Sequence, residues 1–168
     1  MAELYAFLED PRILFNIELF LRILLGGIIG AVIGHERKNR DKSAGMRTHA
    51  IVGLGAALMM VVSKYGFGDI PDYDASRVAA QIVSGVGFLG AGIIFVRNNA
   101  TVSGLTTAAG IWATAGVGMA LGAGIYFIGI SSGFLVVILQ VLLHRIRFLS
   151  AEPTRGYMKL ATDQFENV

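Results

Sequence analysis

Five long apolar segments dominate this sequence, near residues 19–35, 48–64, 77–96, 103–121 and 124–143. About 20 mostly apolar residues are enough for a helix to cross the hydrocarbon of a bilayer. Only 15% of the residues are charged, against roughly 25% in an average soluble domain. We therefore predict an all-α integral membrane protein: a bundle of five transmembrane helices over residues 1–147, followed by a short cytoplasmic tail over 148–168. A four-span arrangement would merge or discard one of the last two segments.

The positively charged residues are concentrated on one side of these segments. If the spans alternate, ten Lys and Arg residues lie on the side of the 36–47 loop and the C-terminal tail, and four lie on the other side. Cytoplasmic loops carry an excess of Lys and Arg, so we expect the N-terminus outside and the C-terminus inside. Tyr65, Tyr73 and Tyr126 then fall at the outer interface, as in an aromatic belt. This topology accounts for the basic pI, so the expected partner is the lipid bilayer rather than nucleic acid.

Glycines at helical spacing predict close helix packing, because membrane helices associate where small residues let their backbones approach. The candidate packing positions are Gly26, Gly30 and Gly34 in the first span, Gly85, Gly87, Gly90 and Gly92 in the third, and Gly110 and Gly118 in the fourth. In the third span Val78, Ile82 and Val86 share one face, which we expect to meet lipid. The opposite, small-residue face is expected to meet neighbouring helices, and the same helix faces predict a homodimer.

Residues Gly85–Gly90 also match the G-x-G-x-x-G pattern of dinucleotide-binding proteins. That site needs a preceding strand, a helix that begins at the glycines and an acidic residue about 20 positions later. No Asp or Glu occurs between Asp74 and Glu152, and the glycines lie inside an apolar segment. We therefore expect no nucleotide cofactor.

A polar group is predicted where the first span ends and the second begins. It consists of Glu36, Arg37, Arg47, Thr48 and His49. Two interpretations remain open: a helix-end salt bridge with anchoring to lipid headgroups, or a polar pocket that binds an ion, a lipid or a partner protein.

Further polar candidates lie in the third and fourth spans. Asp74 or Ser76 is expected to cap the third span, and Arg77 to pair with Asp74 or with the outer end of the first span. Gln81 and Ser84 either join helices or line a polar cavity, because an amide in hydrocarbon needs partners. The remaining candidates are Thr106 and Thr107, in the first turns of the fourth span, and Trp112, whose indole N–H should seek an acceptor.

The sequence contains no recognisable catalytic constellation, so we expect no enzyme and no catalytic residue. There is no cluster of metal-ligating side chains, and we expect no metal cofactor. Mg²⁺ favours carboxylate oxygens, which the spans lack apart from their ends. A transporter or channel for Mg²⁺ or another small solute remains the alternative function.

Three stretches of the chain resemble the membrane domain of the MgtC/SapB family of bacteria. They are GAVIGHERKNRDKSAGMRTHAIVGLGAAL, SRVAAQIVSGVGFLGAGIIF and VSGLTTAAGIWATAGVGMALGAG, within residues 15–145. The resemblance implies a five-span protein of the bacterial inner membrane that supports growth at low magnesium and, in pathogens, survival in macrophages. It also implies a regulatory mode, in which the protein restrains the proton-driven ATP synthase.

The same resemblance marks Glu36, Arg37, Arg47, Thr48, Arg77, Gln81, the Gly85–Gly92 run, Thr106 and Trp112 as positions of interest. Some family members have Asn where Thr106 stands. Many also continue into a soluble domain that resembles ACT modules, whereas 24 residues, Arg145–Val168, follow the last span here. We therefore expect a short, membrane-only member that regulates another membrane protein.

Overall fold

The computed structural model describes residues 10–38, 43–97 and 101–145. This part of the chain consists of five helices and one short β-hairpin. The elements are α1 (Pro11–Lys38), α2 (Met46–Tyr65), α3 (Ser76–Ala91), β1 (Phe95–Arg97), β2 (Thr101–Ser103), α4 (Leu105–Gly122) and α5 (Tyr126–Arg145).

Four of these helices are long and apolar enough to cross a membrane: α1, α2, α4 and α5. Large hydrophobic side chains such as Phe20 and Phe127 point away from the bundle. Exposure of these side chains to water would be unfavourable, whereas contact with lipid would not. The all-helical membrane class predicted from the sequence is thus confirmed. The number of spans and their orientation stay predictions.

The third helix is shorter than predicted. The expected span at 77–96 ends as a helix at Ala91, and the next helix begins at Leu105 rather than at Ser103. Between them, β1 and β2 pair antiparallel, with Phe95 opposite Ser103 and Arg97 opposite Thr101. Gly90 and Gly92 weaken the helix, and the β-branched and aromatic residues that follow favour an extended strand. With 16 residues, α3 is about 24 Å long, which is shorter than the hydrocarbon core.

The glycine stripe of α1 brings its backbone against that of α2, as predicted. A β-carbon placed on Gly26 would lie 2.8 Å from the Gly53 carbonyl oxygen, and one on Gly34 would lie 2.6 Å from the Met46 Cα. A β-carbon on Gly30 would lie closer still to the backbone of His49. No side chain larger than hydrogen fits at these positions without separating the helices.

Helix α4 is the centre of the bundle and packs against each of the other four helices. Gly118 and Gly122 place it against the backbone of α2 at Gly53 and Ala57. Its apolar residues Ile111 and Leu121 are almost completely buried. The small-residue stripes of α1 and α4 therefore converge on α2 from two sides; the glycine spacing predicted close packing, and the structure identifies the helix that is met.

The orientation predicted for α3 is wrong. Ile82 and Val86, expected to meet lipid, are buried in an apolar cluster with Ala56, Ile111 and Ala115. The physical reason is complementarity: α2 and α4 present small side chains here, and the branched side chains of α3 fill the space. Consequently the small-residue face points outward.

The glycines of α3 contribute little to packing within one copy of the chain. A β-carbon at Gly85 or Gly87 would meet nothing within 4 Å, and at Gly92 only carbonyls of its own helix turn. Gly90 alone of the four approaches a neighbour in the described residues, Ala108 of α4, at 3.5 Å from its β-carbon position.

Candidate functional site

A buried group of polar side chains joins four helices near the end of the bundle where α1 ends and α2 and α4 begin. It is formed by Arg37 of α1, His49 of α2, Gly110 and Thr114 of α4, and Gln140 of α5, and is called the interior polar cluster below. His49 and Thr114 are completely buried, and Arg37 is 5% exposed. Buried polar groups in an apolar bundle are costly unless they are paired, so their convergence marks a candidate site.

One chain of hydrogen bonds determines which ring nitrogen carries the proton when His49 is neutral. The Thr114 hydroxyl donates to the Gly110 carbonyl oxygen at 2.8 Å, and His49 Nδ1 lies 2.8 Å from the same hydroxyl oxygen. A hydroxyl has one proton, so Thr114 Oγ1 accepts from His49 Nδ1–H. In the neutral imidazole, Nε2 is then the unprotonated acceptor.

The three long side chains of the cluster meet beside Gly110. A β-carbon placed on Gly110 would lie 3.4 Å from Gln140 Nε2, 3.4 Å from His49 Cε1 and 3.9 Å from Arg37 Nε. The absence of a side chain at Gly110 therefore lets these three groups approach the backbone of α4.

Two acceptors of the cluster are buried without a hydrogen-bond donor in the described part of the chain, namely His49 Nε2 and Gln140 Oε1. Arg37 of the cluster also lies near an acid: Glu36 Oε2 is 3.7 Å from Arg37 Nε, and both of these side chains are almost completely buried. The ion pair at the end of α1 therefore joins Glu36 to its neighbour Arg37, and not to Arg47 across the connection to α2, as the sequence had suggested.

The predicted polar candidates separate into two sets. Glu36, Arg37 and His49 come together as expected, and Thr107 is buried on the α4 face that also carries Gly110 and Thr114. The other candidates are exposed and do not join the cluster: Arg47, Thr48, Arg77, Gln81, Ser84, Thr106 and Trp112.

Thr114 and Gln140 were not expected in this site. Their only signal in the sequence is that each is polar within an apolar span, a property they share with several residues that have no such role. Pairing them with His49 requires contacts across 65 positions of the chain, which helix periodicity alone does not provide.

A second polar group, the Arg22 cluster, lies at the other end of the bundle and is formed by Glu18, Arg22, Tyr65 and Tyr126. Arg22 Nε donates to Glu18 Oε1 at 3.2 Å and to Tyr126 Oη at 2.9 Å, and Arg22 Nη1 donates to Tyr65 Oη at 2.9 Å. Tyr126 also donates to Glu18 Oε1 at 2.9 Å. These hydrogen bonds connect α1 to both α2 and α5.

The exposed carboxylate of Asp74 accepts hydrogen bonds from Ser76, the first residue of α3. Asp74 Oδ1 accepts from the amide and the hydroxyl of Ser76 at 2.9 and 2.6 Å. These two hydrogen bonds lower the pKa of Asp74 below its ordinary value. Arg77 pairs with Asp74, at 3.6 Å, rather than with the first helix.

The outer face of α3 is a third feature of interest. Gln81 and Phe88 each lie three or four residues from the adjacent pair Ser84 and Gly85, so the four share one face, and all are exposed, Phe88 by 81%. This stripe, called the α3 outer face below, combines an amide, a hydroxyl, a glycine and an aromatic ring.

Fold and site together define a class: an α-helical integral membrane protein with a polar cluster enclosed between its helices. The family model of the MgtC family matches residues 23–148. The chain therefore belongs to the MgtC family.

Several curated proteins are similar to this chain. YhiD of Escherichia coli K12, described by its name as a proposed magnesium transporter, is 48% identical over 136 residues, which cover 78% of this chain and 63% of YhiD. SapB of Bacillus subtilis is 41% identical, with coverages of 70% and 50%. MgtC of Salmonella typhimurium LT2 is 40% identical, with coverages of 84% and 62%. The chain thus spans half to just under two thirds of these relatives, and no solved structure matches it.

Proposed function

We propose that this protein is a non-enzymatic regulator in the bacterial inner membrane, which binds another membrane protein during adaptation to low magnesium. The observation that carries the proposal is the α3 outer face, where Gln81 and Ser84 are exposed on an apolar helix. In the proposed topology the N-terminus is outside and the C-terminus is in the cytoplasm.

Gln81 supports a helix-binding role because its amide has two donors and one acceptor group to satisfy. It makes no hydrogen bond with the described part of the chain. In the proposed bundle α3 lies in the membrane, and because lipid tails offer no hydrogen bonds, this amide would be stabilised by a polar group on another helix. An exposed amide on a membrane helix is therefore better explained by a protein partner than by lipid alone.

The residues around Gln81 suit such a partner. Gly85 lies one turn further along α3 and has open space around it, so a second helix backbone can approach closely. Phe88 lies another turn on and offers a large apolar surface. The four residues lie on one face of α3, along which a single helix could pack. This arrangement favours a transmembrane segment with small and polar residues as the occupant.

A partner other than a second copy of this chain gives the face a regulatory role. The family resemblance suggests the membrane-embedded part of ATP synthase as the first candidate. A homodimer through the same face is the competing occupant, and the experiment below separates the two.

Site-specific photocrosslinking in native membranes tests this proposal. A photoreactive amino acid is placed at Gln81 or at Phe88, and at Leu135 as a control that is exposed on a different helix, α5. We expect products with one other membrane protein from positions 81 and 88 and none from position 135. Products containing only this chain, or equal capture from position 135, would contradict the proposal.

Transport of Mg²⁺ is the second candidate, favoured by the interior polar cluster and by the name of the relative YhiD. The position of Arg37 opposes it, because a buried guanidinium repels a divalent cation. The described residues also contain no group of three or more His, Cys, Asp or Glu side chains that could hold a metal ion.

Flux into sealed vesicles containing the purified protein decides between the two candidates. The regulatory proposal expects no Mg²⁺ uptake above that of empty vesicles. Robust uptake that is lost in Glu36→Ala and retained in the exposed control Arg77→Ala would establish transport instead.

A further inference from the structure

We propose that the bilayer is locally thinned beside α3, because phospholipid headgroups reach both ends of this helix more deeply than they reach the ends of α2 and α5. The surface concerned is the exposed side of α3, and its partner is the lipid bilayer in a deformed state. The proposal does not depend on the regulatory role, because it concerns only the protein and the lipid around it.

Helix α3 is the shortest of the five described helices. Its 16 residues rise about 24 Å, whereas the 20 residues of α2 and of α5 each rise about 30 Å. The hydrocarbon core of a typical bilayer is about 30 Å thick. Helices α2 and α5 therefore match the hydrocarbon, and α3 is shorter than it by about 6 Å.

The first end of α3 is recessed from the neighbouring end of α2. The Ser63 hydroxyl donates to the carbonyl oxygen of Ala75, the residue before α3, whereas α2 continues to Tyr65. Asp74 lies one residue further from the helix, and its carboxylate is exposed. A carboxylate is costly to place in hydrocarbon. The polar region of the bilayer therefore reaches the level of Ser63 beside α3.

The last turn of α3 is recessed from the neighbouring end of α4. The β-carbon position of Gly90 lies 3.5 Å from Ala108, which is in the first turn of α4. Helix α3 ends one residue later, and the Ile93 carbonyl oxygen already contacts Gly104, the residue before α4. Residues 92–94, which are not helical, therefore lie beside the first turn of α4.

This non-helical segment and the hairpin that follows it are unsuited to hydrocarbon. Gly92 and Ile94 are exposed. Strands β1 and β2 form a sheet of two strands, so within the described residues each strand has one edge without a partner strand. Lipid tails offer no hydrogen bonds to such a backbone, which membrane proteins keep out of contact with them. The headgroup region therefore comes in to the first turn of α4 on this side of the bundle.

Thinning is the response that this mismatch leaves open. A short helix is accommodated by a thinner bilayer, by flanking side chains that extend to the headgroups, or by association with other proteins. No charged residue lies between Arg77 and Arg97, so the last turns of α3 carry no side chain that could extend in this way. For one copy of the protein surrounded by lipid, we expect about 3 Å of thinning at each end of α3.

The levels of α3 and α5 in the bundle are related through α4. Gly90 of α3 lies beside Ala108, as described above, and the β-carbon position of Gly133 of α5 lies 3.7 Å from Val117 Cγ1. Counting along each helix from these contacts, at equal rise per residue, gives the relative level of any two positions.

Two pairs of exposed positions compare α3 with α5 in the two halves of the bundle. Phe88 and Leu139 lie in the half near the interior polar cluster, and Ala80 and Ser131 lie in the half near the Arg22 cluster. Within each pair, the levels differ by about one residue. The chain contains no cysteine, so Phe88→Cys, Leu139→Cys, Ala80→Cys and Ser131→Cys each carry a single nitroxide spin label.

The depth of each label is measured in vesicles of dioleoylphosphatidylcholine that contain the purified protein. Collisions with oxygen report the hydrocarbon, and collisions with a polar nickel complex report the aqueous side. We expect the α3 label to be closer to the headgroups than the α5 label when the differences of the two pairs are averaged, by about 3 Å. Averaging over both halves cancels any tilt or vertical displacement of the bundle, because these move α3 toward the headgroups in one half and away from them in the other.

Two results would overturn the proposal. An averaged difference of zero would mean that the bilayer is equally thick beside α3 and α5. Low collision rates with both oxygen and nickel at Phe88→Cys and Ala80→Cys, with ordinary rates at the α5 positions, would mean that protein covers α3 and that lipid does not adapt to it.

Discussion

The contact between α1 and α2 at Gly26 yields a sharp quantitative prediction. Gly26→Ala adds a β-carbon 2.8 Å from the Gly53 carbonyl oxygen and 2.8 Å from Ala57 Cβ. The oxygen belongs to a helix backbone and cannot rotate away, so the two helices must separate by several tenths of an ångström. Overpacking of this kind costs about 1–3 kcal/mol.

Gly55→Ala is the control that isolates this cost. It makes the same chemical change in the middle of α2, where a β-carbon meets nothing within 4 Å. Both substitutions gain up to about 1 kcal/mol of helix propensity, because alanine is the better helix former. The difference between the two variants therefore measures the clash and cancels the propensity.

We expect Gly55→Ala to be neutral or stabilising, and Gly26→Ala to be less stable than Gly55→Ala by about 1–3 kcal/mol. Reversible unfolding in bicelles, followed by the fluorescence of the single tryptophan, Trp112, provides the measurement. If the two variants differ by less than about 0.5 kcal/mol, the close approach of α1 and α2 at Gly26 does not exist as described.

Three further predictions concern other parts of the bundle. Arg22→Met should destabilise the protein by about 1–3 kcal/mol, because Arg22 is buried and the substitution removes its charged hydrogen bonds to Tyr65 and Tyr126. The exposed control Arg77→Met should change stability far less, and equal losses would contradict a structural role for the Arg22 cluster. Gly104→Ala should destabilise the start of α4, because Gly104 has φ +93° and lies against the Ile93 carbonyl oxygen. The left-handed backbone alone costs a residue with a side chain about 1–2 kcal/mol, and the steric clash adds to this cost. The control Gly68→Ala should be tolerated, because nothing lies within 4 Å of its β-carbon position. Because the pKa of Asp74 is lowered in the folded state, its hydrogen bonds to Ser76 stabilise α3 at neutral pH and are lost as pH falls through that lowered pKa. Protection of the first α3 amides from hydrogen exchange, corrected for intrinsic rates, should therefore decrease at acid pH, and protection independent of pH would count against this effect.

The interior polar cluster shows which parts of the candidate site can be predicted from the sequence and which cannot. Glu36, Arg37 and His49 lie close in sequence around one interhelical connection, so their proximity was predictable. Gln140 lies about a hundred positions away and reaches them only because α5 packs against α4 and α1. A single Gln in an apolar helix predicts a polar contact but does not identify the residue that provides it.

Trp112 and Thr106 illustrate a different limit. Their residue types predicted a need for hydrogen-bonding partners but not where those partners lie, and the structure leaves both exposed, Trp112 by 56%. Helix α4 buries the face that carries Gly110, Thr114 and Gly118, and these two residues lie outside it. The glycine spacing was therefore the better guide to the inner face than the polarity of single residues.

By itself, the sequence determined the apolar helices, because length and hydropathy are local properties. It also determined which face of α1 is closely packed, since glycines at spacing four permit backbone contact in only one direction around a helix, although not that α2 is the helix met there. Only the tertiary structure decided which face of α3 points inward and which distant polar residues share a space. The reason is physical: in a membrane, apolar side chains suit both lipid and neighbouring helices, so hydrophobicity does not separate the inner face from the outer one, and shape complementarity makes the choice.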